Sequence, residues 1–192
     1  MKLVHGVGIN NRERPTRMNG SEMLPEYRLW KGMLFRCYSK DKLELNPSYK
    51  DCDVSIDFLQ YHLFFDWCRK QKFFDKKDYC LDKDLIKKGN KTYSPEFCCF
   101  LPKAINNILT KSDCARGEYP IGVSKKRDKY KAEIKIEGKK TWLGVFYSEI
   151  EAFSAYKTAK EEHIKNMAEK YREMIDERAY KALLNYTVEI TD

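Results

Sequence analysis

The chain contains no C-x-x-C pair, and the absence excludes a zinc ribbon or finger. Its seven cysteines, Cys37, Cys52, Cys68, Cys80, Cys98, Cys99 and Cys114, are odd in number, which argues against a disulfide scaffold and predicts reduced thiols. Histidine is scarce: of His5, His62 and His163, the first and last have no candidate partners around them in sequence. The opening MKLVHGVGINNRERPTR lacks the apolar core of a signal peptide, and no apolar run approaches the length of a membrane span. These absences lead us to expect a soluble cytoplasmic protein that has no membrane partner.

What is present is a folding chain with a basic balance. Hydrophobic residues make up 42% and aromatics 14%, enough for one or two small cores in 192 residues. The net charge of +8 and pI near 9.0 point to a polyanionic partner.

The clearest pattern runs from Gly122 to Ala159. Tyr130, Ala132, Ile134 and Ile136 alternate with Lys131, Glu133 and Lys135, as a half-buried strand requires. Glu137-Gly138-Lys139-Lys140 supplies a turn, and Thr141 to Phe146 a returning strand. Ser148 with Glu151 forms a capping box, and Phe153, Tyr156 and Ala159 give the helix it opens an apolar face. Gly122-Val123, Ala132-Glu133-Ile134, Trp142-Leu143-Gly144, Phe146, Glu151-Ala152 and Ala155-Tyr156 together resemble the plant ethylene-response-factor (Apetala-type) DNA-binding domain. The resemblance implies a three-stranded sheet packed on one helix, with a sheet face laid on double-stranded DNA. Lys125, Lys126, Arg127, Lys135, Lys140 and Trp142 are its candidate DNA contacts, with Glu133 the acidic member. Ser124 replaces an arginine of the plant motif. Lysine lacks the bidentate fork that reads guanine, so affinity with limited selectivity is expected.

Upstream, residues 1–20 read as a flexible or surface-laid basic arm carrying Arg12, Arg14 and Arg17. Glu26 to Tyr38 places Tyr27, Trp30 and Leu34 on one helical face, and Ile56 to Gln71 reads as a second amphipathic segment with His62 among its aromatics. Cys80 to Ile86 then predicts a strand, Lys88-Gly89-Asn90 a turn, and Cys98 to Leu101 a second strand. Pro102 is expected in the first turn of a helix carrying Asn106 and Asn107. The order resembles the ββα-metal (HNH) unit of phage homing-type endonucleases. The Leu81-Asp-Lys-Asp84, Lys88-Gly-Asn-Lys91 and Tyr93-Ser-Pro95 runs are similar to phage proteins of that type with an ethylene-response-factor-like C-terminal domain.

That likeness implies Mg²⁺ or Mn²⁺, and no zinc, held by Asp82 and Asn106. Lys83 falls at the position of the general-base histidine, and the residues left to act as base are Lys83, Asp84 and His62. A lysine flanked by Asp82 and Asp84 favours its charged form and makes a poor base.

The expected fold is α+β: a basic arm over 1–20, an HNH-like module over 21–112, a DNA-binding domain over 117–165 and a helical extension over 166–192. A linker is expected from Thr110 to Tyr119, and a short strand over Thr187 to Ile190. The expected function is a phage-type DNA-binding protein with a degenerate nuclease site, located in the host cytoplasm. The alternative is a non-catalytic inhibitor that binds a host nuclease or defence complex.

Overall fold

A computed structural model describes residues 3–110 and 118–192; the expected linker, with Cys114, lies mostly outside the described residues. The fold is mixed α+β with several small sheets. Among the described residues no helix is long and apolar enough to cross a membrane. The chain divides into two compact units. The first comprises Met1–Lys103 and Met174–Ala179, the second Ala104–Glu173 and Tyr180–Asp192.

In the first unit, β1 (Arg17–Met18) and β2 (Glu22–Met23) form a small hairpin before α1 (Pro25–Tyr38). Pro25 presets the first turn of α1, and Glu26, fully buried there, pairs with Arg69. Helices α2 (Lys40–Leu45), α3 (Ile56–Leu59) and α4 (Tyr61–Lys70) follow, with β3 (Asp53–Val54) between the first two. Trp30, Met33 and Leu34 of α1 pack with Phe58, Tyr61 and Phe64 in one core, and Trp30 Nε1 donates to the Phe58 carbonyl at 2.7 Å.

The amphipathic pattern predicts one helix over Ile56 to Gln71, but the structure breaks it at Gln60, whose backbone is extended. Tertiary pairing is the reason. Ile9 inserts here, its N–H donating to the Leu59 carbonyl (2.8 Å) and its carbonyl accepting from Tyr61 N–H (2.9 Å). Residues 4–9 are therefore laid against the core that α1 and α4 form. Gly8 approaches so closely that a Cβ there would stand 2.3 Å from Leu34 Cδ1. Arg14 holds Asp66 with two bonds of 2.8 Å.

Strand β4 (Tyr79–Asp82) pairs antiparallel with β6 (Cys99–Pro102), and β5 (Thr92–Tyr93) pairs parallel with β3. The strand expected over Cys80 to Ile86 ends early because Asp82 Oδ1 accepts the N–H groups of Asp84 (3.1 Å) and Leu85 (2.9 Å) and turns the chain. Pro102 closes β6 rather than opening the helix; its missing N–H is no loss at a strand end, and α5 runs over Lys103–Leu109. Asp176 and Arg178 return to this unit, where Arg178 Nη1 donates to the Glu96 carbonyl at 2.8 Å.

In the second unit, β7 (Val123–Lys126), β8 (Lys129–Ile136) and β9 (Lys139–Phe146) form an antiparallel sheet in that order. Glu137 (φ +48°) and Gly138 (φ +83°) make the tight β8–β9 turn, a two-residue loop whose positive φ suits a right-twisted hairpin. Helix α6 (Glu149–Lys170) begins at a complete capping box between Ser148 and Glu151. It packs Phe153 and Tyr156 against Ile134. Gly122, at φ +78°, lies under that helix, where a Cβ would meet Tyr156 Cδ2 at 1.9 Å.

After α7 (Glu177–Leu184), Thr187 to Ile190 does not form the expected strand. Side chains of α6 take the backbone groups that a sheet would have used. Lys157 Nζ donates to the Val188 carbonyl (2.6 Å) and Glu161 Oε1 accepts from Val188 N–H (2.9 Å), seating the Val188 side chain in the core.

Candidate nucleic-acid interface

Residues directly opposite in an antiparallel pair share a sheet face. The β8–β9 register pairs Glu133 with Trp142 and Lys135 with Lys140; the β7–β8 register pairs Lys126 with Lys129 and Ser124 with Lys131. Ala132 and Ile134, buried under α6, alternate with these positions. One face thus gathers Lys126, Lys129, Lys131, Lys135, Lys140 and Trp142 around a single carboxylate, Glu133. Trp142 is 63% exposed, so its ring lies outside the core and is available to a partner. Glu133 binds Lys131 Nζ at 2.6 Å, and the Lys131 ammonium, helped by Lys140 and Lys126, lowers its carboxyl below the usual range.

A register shift between Ala132 and Glu133 leaves Leu143 as an extra residue on β9, packed toward the core. With Gly144 opposite Ala132, the bulge puts Leu143 and Gly144 in succession on the core side, while Trp142 stays outward opposite Glu133. Of the other candidates, Lys125 pairs in register with Tyr130 on the helix side, its Nζ 4.2 Å from the Tyr130 ring centroid. Arg127 is exposed in the β7–β8 turn at φ +55°.

The nuclease-type candidates have different surroundings. Asp82 is 9% exposed, with Oδ1 occupied by two backbone amides. Burial, then the neighbouring Asp84 charge, pushes its carboxyl up to about 6. Lys83 is also buried, and its Nζ binds Asp84 Oδ2 at 3.0 Å and stands 5.6 Å from the Tyr93 ring centroid. Burial is the largest influence and lowers the Lys83 amine, but Asp84, Cys52 and Asp82 together raise it, and the net direction is up, which favours the charged form. Asn90 closes the loop, with Nδ2 donating to the Lys83 and Thr92 carbonyls, both at 2.7 Å.

His62 meets the N-terminal segment instead: Nδ1 lies 3.1 Å from Asn11 Nδ2, and Nε2 lies 4.0 Å from Glu13 Oε2. Asn106 is half-buried on α5 in the second unit, its carbonyl accepting from Thr110 Oγ1 at 2.9 Å. Among the described residues, no three His, Cys, Asp or Glu side chains gather as a metal-holding group. Asp82 thus stands with one oxygen on two backbone amides and with the Asp84 carboxylate and the Lys83 ammonium as neighbours.

Comparisons with protein-family models, curated proteins and solved structures found no match. The chemistry therefore rests on the residues themselves. Sequence reasoning did not find the Tyr93 ring as a meeting point for Arg36 and Lys83 in the first unit; no local spacing signals a group assembled from three separate elements.

Proposed function

We propose that the protein binds double-stranded DNA through the outer face of the β7–β8–β9 sheet, and that the Asp82 loop is a structural element in a protein that does not cut. The observation that carries this reading is the collection of five lysines and an exposed Trp142 on one face, with Glu133 the one carboxylate among the paired strand residues described there. Lysine ammonium groups neutralise backbone phosphates and release counterions, which gives affinity without reading base edges. The strand order and the capped helix support the likeness of Gly122 to Ala159 to the ethylene-response-factor reader. The engagement of Asp82 by backbone and of Lys83 by Asp84 supports a degenerate form of the HNH-like unit.

The deciding experiment is duplex affinity as a function of salt. Lys126, Lys129, Lys135 and Lys140, the lysines outside the Glu133 pair, predict a log–log slope of about −3.6. A flat salt response would sink the reading. Incubation of plasmid with Mg²⁺ or Mn²⁺ is expected to give no nicking; nicking by the wild type that disappears in Asp82→Ala would restore a nuclease.

A further inference from the structure

In the first unit, the ring of Tyr93 carries two cations. Arg36 Cζ stands 5.5 Å from its centroid and Lys83 Nζ 5.6 Å, and Tyr93 itself is 3% exposed. An aromatic face attracts cations and holds them in place, but it supplies no counter-charge. Lys83 has a counter-charge of its own in Asp84.

Arg36 has none. Its Nε donates to Tyr93 Oη at 3.2 Å, and its guanidinium also stands 5.9 Å from the Tyr49 ring. The remaining group that acts on it is the Cys37 thiol. Burial raises both the Tyr93 hydroxyl and the Cys37 thiol, the latter to about 12, so neither supplies a negative charge. Among the described residues no carboxylate pairs with Arg36, and its terminal nitrogens have no acceptor. The residue is half-buried, so part of it still reaches solvent.

Lys83 has the half-exposed Asp84 carboxylate and the buried Asp82 beside it, so the cation left without a carboxylate on this ring is Arg36. Withdrawing a guanidinium from water without a counterion is unfavourable, and a second cation on the same ring adds to the cost. The imbalance is relieved by an anion with a planar or tetrahedral set of oxygens, which the free end of a guanidinium grips with two parallel bonds.

We infer that Arg36, with Lys83 on the same Tyr93 ring, binds a phosphate oxyanion, either a free phosphoryl group or a phosphodiester of nucleic-acid backbone. The inference is independent of the sheet face. Tyr93 orients the guanidinium by accepting from Nε, which leaves the two terminal nitrogens for the ligand. Asp84 competes with that ligand for Lys83.

The test uses the full chain and two probes, sodium phosphate and a 12-base-pair duplex, each against sodium chloride at equal ionic strength. The first readout is the ¹⁵N–¹H resonance of Arg36 Nε in the wild type, which needs no variant to fold. A shift with phosphate alone identifies a phosphoryl ligand, and a shift only with the duplex identifies backbone; each supports the site. A resonance that moves no more than in chloride with either probe overturns it. The second readout is thermal. At a tenfold excess over Kd the bound anion raises the midpoint by about 4 °C, and Arg36→Gln removes that rise. Asp84→Asn, by freeing Lys83, shifts the response in the other direction, to about tenfold lower anion concentration. A rise retained in Arg36→Gln, or unchanged in Asp84→Asn, counts against the site.

Discussion

Lys83 and Lys135 sit near acidic neighbours in similar stretches of chain, yet their charges serve opposite ends. Lys83 is 8% exposed and bonded to Asp84 beside the Tyr93 ring, so its charge meets a carboxylate within the first unit. Lys135, opposite Lys140 on a solvent-facing sheet surface, has no such engagement and is presented outward. The same contrast separates Asp82, which serves two backbone amides, from Glu133, which sits in a field of lysines. The carboxylate of Asp82 holds a turn of the chain, and the lysines of the sheet face solvent.

The contrast breaks most severely at the glycine under α6. Gly122→Ala forces a Cβ into Tyr156 at a positive φ, and should destabilise the second unit by about 4 kcal/mol and abolish the salt-dependent DNA affinity, as circular dichroism melts and fluorescence anisotropy would record. A variant that melts like the wild type would show that the sheet does not depend on this close approach.

Asp82→Ala should act on the other side of the comparison. It strands two backbone amides and should cost about 2 kcal/mol of first-unit stability in urea, while duplex affinity stays unchanged. The sign of its pH dependence follows from its raised carboxyl, up to about 6 in the folded state. Between the unfolded carboxylate range near pH 4 and that value, the folded state holds a proton that the unfolded chain has released. Stability therefore falls as pH rises through that window and levels off above it. Asp82→Asn, which keeps an oxygen acceptor for the amides, should flatten the urea midpoint over the same window.

On the sheet, Lys135→Gln with Lys140→Gln should reduce the salt slope by about 1.8 and leave urea stability within about 0.5 kcal/mol. The smallest effect belongs to Trp142→Ala. With its side chain largely in solvent, the substitution should weaken duplex affinity about fivefold without lowering the melting midpoint. A large drop in that midpoint would return Trp142 to a core role and remove it from the interface.

The sheet was legible because its signals are local. Alternation from Tyr130 to Ile136, the Glu137-Gly138 turn and the Ser148–Glu151 box each span a few residues, and parity alone put Lys135 away from Ile134. The first unit was harder because its decisive contacts join distant residues. Gln60 breaks a well-patterned helix because Ile9 pairs there, and His62 meets Asn11 rather than Asp82. At Thr187 to Ile190 the composition suggests a strand, yet the bonding partners are side chains on α6, which no β pattern encodes.

The seat of Ile9 also has a consequence for the order of events on the ribosome. Its two backbone bonds go to Leu59 and Tyr61, on either side of the helix break. The piece of chain made early has to wait for some fifty more residues before its partners exist, since Ile9 and Gln60 are the bridged pair. Until then the face of α1 formed by Trp30 and Leu34 lacks the close cover that Gly8 provides, and the nascent chain is at its stickiest. A bulky fusion placed ahead of the first residues would be felt there, in the yield of folded protein, before it was felt in anything the finished molecule does.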